Sequence, residues 1–225
     1  MFNNGPFHKF ATTPENQGLY DSSHERDACG LAMVATLRGY AGHDVVEMAL
    51  SSLRNLEHRG AVGSDAGTGD GAGILTQMPD GFFRAIVDFD LPARGTYGVG
   101  LVFLDAATAT EDKAKFEAIC NEESLTVLGW RTPPTDSSVL GELAREAMPL
   151  IEQVFVSSND LITGMDLERR LFRARNRSER DIGLYLCSLS SKTIVYKGMV
   201  TTLQLEPFYP DLSDERFESL LALVH

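Results

Sequence analysis

His24-Glu25-Arg26-Asp27-Ala28-Cys29-Gly30 leads straight into the apolar run Leu31-Ala32-Met33-Val34-Ala35. A cysteine followed by glycine, set between a charged lead and a strand-like run, is an odd place for a packing residue. If the chain is cut before Cys29, a thiol and a free α-amino group share one residue. An α-amino group titrates at about 7.7–8.0, so it can act as base for its own nucleophile. The ordinary reading is that free cysteine is a small buried hydrophobe of no chemical consequence. The lead itself, residues 1–28, carries the turn clusters Asn3-Asn4-Gly5-Pro6 and Thr12-Thr13-Pro14 and no apolar period. Two readings of it stay open, a flexible terminus and a propeptide that shields Cys29.

Downstream, Leu31–Leu37 predicts a strand turned by Arg38-Gly39-Tyr40. Val45, Met48, Ala49, Leu53 and Leu56 then recur at three- and four-residue steps and predict one apolar helix face. That helix runs into Glu57-His58-Arg59-Gly60, with Gly60 as its stop. The densest glycine region follows, from Gly60 to Gly73. No Gly-Lys-Ser/Thr is present, which excludes a P-loop. Gly67, Gly69 and Ala72 have dinucleotide-fingerprint spacing but lack the preceding strand and following helix, so that reading is rejected. Tight turns and close backbone approach account for these glycines better.

Beyond Pro79 the pattern predicts a short helix (82–87), a buried strand (97–104) and a helix (110–122) with Ala114, Phe116, Ile119 and Cys120 inward. Strands over 125–130 and 151–156 come next, with Trp130 read as core. The arginine-rich stretch 166–180 reads as a solvated charged helix on Leu167, Leu171 and Ala174 rather than an anion site. Gly183–Ser188 and Thr193–Tyr196 predict two strands joined as a hairpin through Ser190-Ser191. The chain finishes on the apolar stretch 217–225, which reads as a cut within a domain. Strands alternating with a few amphipathic helices, with hairpins, give an α+β class of stacked layers.

The 225 residues suit one large domain, or one and part of another, and a formal net charge of −12 argues against nucleic acid as a partner. Three widely spaced cysteines, Cys29, Cys120 and Cys187, make neither a disulfide framework nor a paired metal site. No apolar run approaches the ~20 residues of a membrane span, and no secretory signal is present, so the expectation is a cytoplasmic protein without membrane partners.

Glu25-Arg26-Asp27-Ala28-Cys29-Gly30, Leu56-Glu57-His58-Arg59-Gly60 and Thr68-Gly69-Asp70-Gly71-Ala72-Gly73-Ile74 together resemble the N-terminal glutaminase domain of the glutamate synthase large subunit. Tyr97-Gly98-Val99-Gly100, Leu128-Gly129-Trp130-Arg131, Thr193–Met199 and Phe208-Tyr209-Pro210-Asp211-Leu212 continue the match. Each motif is weak alone; in this order they are specific.

The resemblance implies an N-terminal-nucleophile fold, a four-layer αββα sandwich that is incomplete at the C-terminus, with residues 1–28 as leader and 29–225 as the amidotransferase part. It implies removal of the segment before Cys29, attack of Cys29 on the side-chain amide of L-glutamine, and hydrolysis of the γ-glutamyl thioester. In the family the ammonia passes to 2-oxoglutarate at a synthase domain carrying FMN and an iron–sulfur cluster, with a small subunit or another electron donor as partner. Arg59 and Gly60 match the arginine-glycine pair beside the nucleophile, where a cation favours thiolate. Arg59 also reads as a helix-terminal residue pairing with a carboxylate, and His58 as structural. The family's carboxylate-gripping arginine, oxyanion asparagine-glycine pair and amine-binding aspartate come from a later segment. The expectation is therefore a fragment with little or no glutaminase activity, since one lost oxyanion donor costs about 10²–10³ in rate. The alternative is a noncatalytic scaffold that keeps the fold and binds a partner or a complementing fragment.

Overall fold

A computed structural model describes residues 30–57, 67–160 and 162–225. They form two four-stranded sheets in which every strand pair is antiparallel. The first sheet has the order β1-β8-β2-β7, from Ala32–Ala35 (β1), Leu221–Val224 (β8), Ala72–Gln77 (β2) and Thr193–Gly198 (β7). The second has the order β4-β5-β3-β6, from Leu125–Arg131 (β4), Leu150–Ser158 (β5), Tyr97–Leu104 (β3) and Tyr185–Leu186 (β6). The antiparallel α+β class expected from the sequence is what the chain adopts.

Helix α1 (His43–Asn55) packs along β1 and β8 through Val45, Val46, Ala49, Leu50 and Leu53, all buried. Each buried Val or Leu contributes about 1.5–3 kcal/mol relative to exposure, which is enough to fix the helix on the sheet. The face is rotated from the one the spacing predicts: Met48 is exposed, and Val46 and Leu50 take its place. In the short helix α2 (Asp80–Ile86), Phe82 and Phe83 enter the same core. That core joins α1 and α2 to Ile74, Tyr196, Ala222 and Val224 of the first sheet and to Tyr97, Val99, Leu101 and Phe155 of the second.

A second core lies on the other face of the second sheet. Val102, Leu104, Val154 and Val156 meet Phe116, Ile119 and Cys120 of α3 (Ala109–Glu122) and Leu167, Leu171 and Ala174 of α5 (Gly164–Ile182). The inward set of α5 is the predicted one; in α3, Ala114 faces solvent instead of the core. Trp130 is half-buried, edge-on to Phe116 with its indole N–H donating to Glu117 at 2.9 Å. α5 ends at Gly183, whose φ of +69° is the left-handed stop that glycine permits. The small helices α4 (Glu142–Glu146) and α6 (Leu205–Phe208) lie in connections.

The predicted hairpin over 183–196 does not form. Residues 185–190 run beside β3, with Cys187 N–H donating to Leu101 O at 2.8 Å and Val99 and Ser190 exchanging backbone bonds of 3.0 and 3.2 Å. From Thr193 the chain pairs with β2 in the other sheet. Glu168 of α5 holds the crossing point, accepting from Ser190 Oγ (2.8 Å), Ser191 N (2.7 Å) and Ser191 Oγ (2.6 Å). The segment is thus a crossover that ties the edge of one sheet to the edge of the other.

Candidate functional site

Cys29, Arg59 and Gly60, the residues singled out from sequence, and His58 beside them lie outside the described residues. Their described neighbours are in contact with each other. Gly30 rests on Leu56, the residue that ends α1, so closely that a Cβ at Gly30 would stand 3.1 Å from Leu56 Cδ2.

The registers gather four strand ends at one end of the first sheet. Ala32, opening β1, pairs with Val224, closing β8; Val224 pairs with Ile74 near the start of β2; Ala72 pairs with Gly198, closing β7. Gly73 and His225 then exchange two backbone hydrogen bonds of 2.9 and 3.1 Å. A cavity of about 540 Å³ opens at this end, within the ordinary range for small-ligand sites. Its wall comes from Asp70–Leu75, Lys197–Met199 and the β8 terminus, with Phe103 and Tyr185 of the second sheet among the facing residues. A second, apolar cavity of about 370 Å³ shares Phe103, Tyr185, Gly198 and Met199 with it.

Asp70–Gly73, the last part of the glycine-rich stretch, line the first cavity where the backbone runs against the end of β7. A Cβ at Gly69 would stand 2.7 Å from Val200 O, and Gly71 has φ +130°. At Gly69 and Gly73 close approach is therefore the reason for glycine, as the sequence suggests.

Lys197 and Tyr185 are residues the sequence reading left without a role. The Lys197 ammonium donates to the Tyr185 hydroxyl and lies 4.9 Å from the centre of its ring. Nearby Cys187 is buried, and burial pushes its thiol up to about 12 although the Lys197 and Arg175 charges pull the other way. Cys120, in the other core, is also pushed up to about 12 by burial and then by Glu117 and Glu123. Neither thiol suits nucleophilic chemistry, and the two sit in different cores, so they do not fit an iron–sulfur ligand set. Among the described residues no group of three or more His, Cys, Asp and Glu is placed to hold a metal ion.

The arginine-rich helix is charge-paired. Arg169 meets Asp166, Arg170 meets Asp160, Arg173 meets Glu123, Arg177 meets Glu122 and Glu123, and Arg180 meets Asp181. No described helix is long and apolar enough to cross a membrane.

Residues 29–225 match the family model of class II glutamine amidotransferases, and the chain belongs to that family of enzymes. It is 43% identical over 223 residues to the glutamate synthase [NADPH] large chain of Bacillus subtilis, covering 94% of this chain and 14% of that protein. It is 39% identical to glutamate synthase [NADH] of Saccharomyces cerevisiae, with 94% and 11% covered. It is 40% identical to ferredoxin-dependent glutamate synthase 1 of Arabidopsis thaliana, with 96% and 14% covered. The chain thus spans about one seventh or less of the length of these relatives.

Proposed function

We propose that the chain is the glutaminase part of a glutamate synthase, with Cys29 as nucleophile and residues 1–28 as a leader whose removal frees the Cys29 α-amino group. The amine takes the thiol proton, the sulfur attacks the side-chain amide of L-glutamine, and ammonia leaves as the proton returns to the departing nitrogen. Water then hydrolyses the γ-glutamyl thioester to glutamate. Arg59 stands beside the sulfur and favours its thiolate form, with Gly60 giving room for close approach.

One observation carries the pairing of these residues: Gly30, joined to Cys29, packs on Leu56, three residues before Arg59. Family membership supports glutamine as substrate. The αββα sandwich of N-terminal-nucleophile enzymes is part of the same proposal, supported by two antiparallel sheets that share a core and by helices on both. So is delivery of ammonia to 2-oxoglutarate, with FMN, an iron–sulfur cluster and an electron-donating partner supplied by parts of the protein beyond this domain.

The test is glutamine hydrolysis by the full-length protein and by its Cys29→Ala variant, with the mature N-terminus read by mass spectrometry. Hydrolysis confined to the chain beginning at Cys29 supports the proposal. Activity that survives Cys29→Ala overturns it.

A further inference from the structure

Among the described residues Lys197, at the wall of the larger cavity, forms no ion pair. Most of the described arginines are ion-paired, whereas the contacts of Lys197 are the Tyr185 hydroxyl and ring. Asp70 and His225 line the same cavity, and neither forms an ion pair with Lys197. In a chain of net charge −12, this half-buried ammonium is a point of positive charge at the cavity wall.

The hydrogen-bond inventory gives the site its direction. An ammonium has three donors, and Tyr185 uses one. The Tyr185 oxygen accepts that proton, so its own O–H turns elsewhere and is a second donor at the same place. An ammonium and a phenol hydroxyl side by side match the two oxygens of one carboxylate. Tyr185 is held by Phe103, with ring centres 5.9 Å apart, and Lys197 sits in register opposite Gly73, where a Cβ would crowd Lys197 Cβ at 2.9 Å. The Lys197 stem is therefore held by its strand and the ammonium by Tyr185.

We propose that Lys197 and Tyr185 form a carboxylate-binding site in the cavity at the β7–β2 end of the first sheet, taking small mono- or dicarboxylates. This goes beyond the role of Cys29 and does not require it.

The experiment is titration of the chain with glutarate, whose two carboxylates offer a thiol no amide to attack, against glutaramide, its neutral diamide. Saturable binding of glutarate, absent for glutaramide and weakened by salt, is the expected result. Lys197→Met weakens it by about tenfold or more, the scale of a lost charge-assisted hydrogen bond. Lys197→Arg retains most of it, and Tyr185→Phe loses part, which separates loss of the site from loss of the fold. Equal binding of glutarate by wild type and Lys197→Met, or no saturable binding by wild type, overturns the proposal.

Discussion

Arg131 and Asp211 are joined by two parallel hydrogen bonds of 2.6 and 2.7 Å, with the carboxylate almost wholly buried. The same Asp211 accepts from the Tyr196 hydroxyl at 2.8 Å, and Gln153 connects Arg131 (2.6 Å) back to Tyr196 (2.6 Å). This closed ring fastens β4 and β5 of one sheet to β7 of the other. Asp211→Ala leaves a buried guanidinium and phenol without their acceptor, at a cost of about 3–5 kcal/mol in urea unfolding. Arg131→Met combined with Asp211→Leu is expected to cost less than Asp211→Ala alone, because no charge is then left unpaired.

Two glycines are expected to respond to alanine in opposite directions. At Gly69 the new methyl meets the Val200 carbonyl at 2.7 Å, so Gly69→Ala loses about 1–3 kcal/mol. Gly81, in α2, has open space and an ordinary φ, so Gly81→Ala gains about 0.4–1 kcal/mol. Thermal unfolding of the two variants checks both signs.

Much of this architecture was legible in the sequence where periodicity and punctuation agreed. β3 was delimited by its continuous apolar run, and α5 by Leu167, Leu171 and Ala174 with Gly183 at its end. The false hairpin shows the limit: Ser190-Ser191 looks like a turn, but its partners, Glu168 and Val99, are distant in sequence. Nothing local says that β6 and β7 belong to different sheets. Met48 faces outward because Val46 and Leu50 complete an equally good apolar stripe one step round the helix. Cys29 stands out by its place between a charged lead and a strand, whereas Arg59 and Gly60 stand out only by the order of the motifs. In β7 a lysine alternating with Val195 and Thr193 has the pattern of a strand's less buried face. Only the crossover that brings Tyr185 opposite makes it a candidate.

Asp80 makes stability depend on acid. Burial opposes its ionisation, but hydrogen bonds from Arg84 (2.8 and 3.0 Å) and Tyr97 (2.7 Å) outweigh that and hold its carboxyl below the ordinary value. A lowered folded value gives stability that is full above the unfolded value of about 3.9 and is lost as pH falls through the folded one. The stability gap between wild type and Asp80→Asn is therefore expected to be flat above about pH 5 and to close on acidification. Urea midpoints across that range check it; a gap that widens as pH falls contradicts the assignment.

The most direct measurement is acid quenching of the full-length protein during turnover of L-glutamine, followed by peptide mass spectrometry. The account predicts a γ-glutamyl adduct on a peptide that begins at Cys29, absent from Cys29→Ala. With their thiols pushed up to about 12 by burial, Cys120 and Cys187 remain unmodified. An adduct on either of those residues, or turnover with Cys29 replaced, contradicts it.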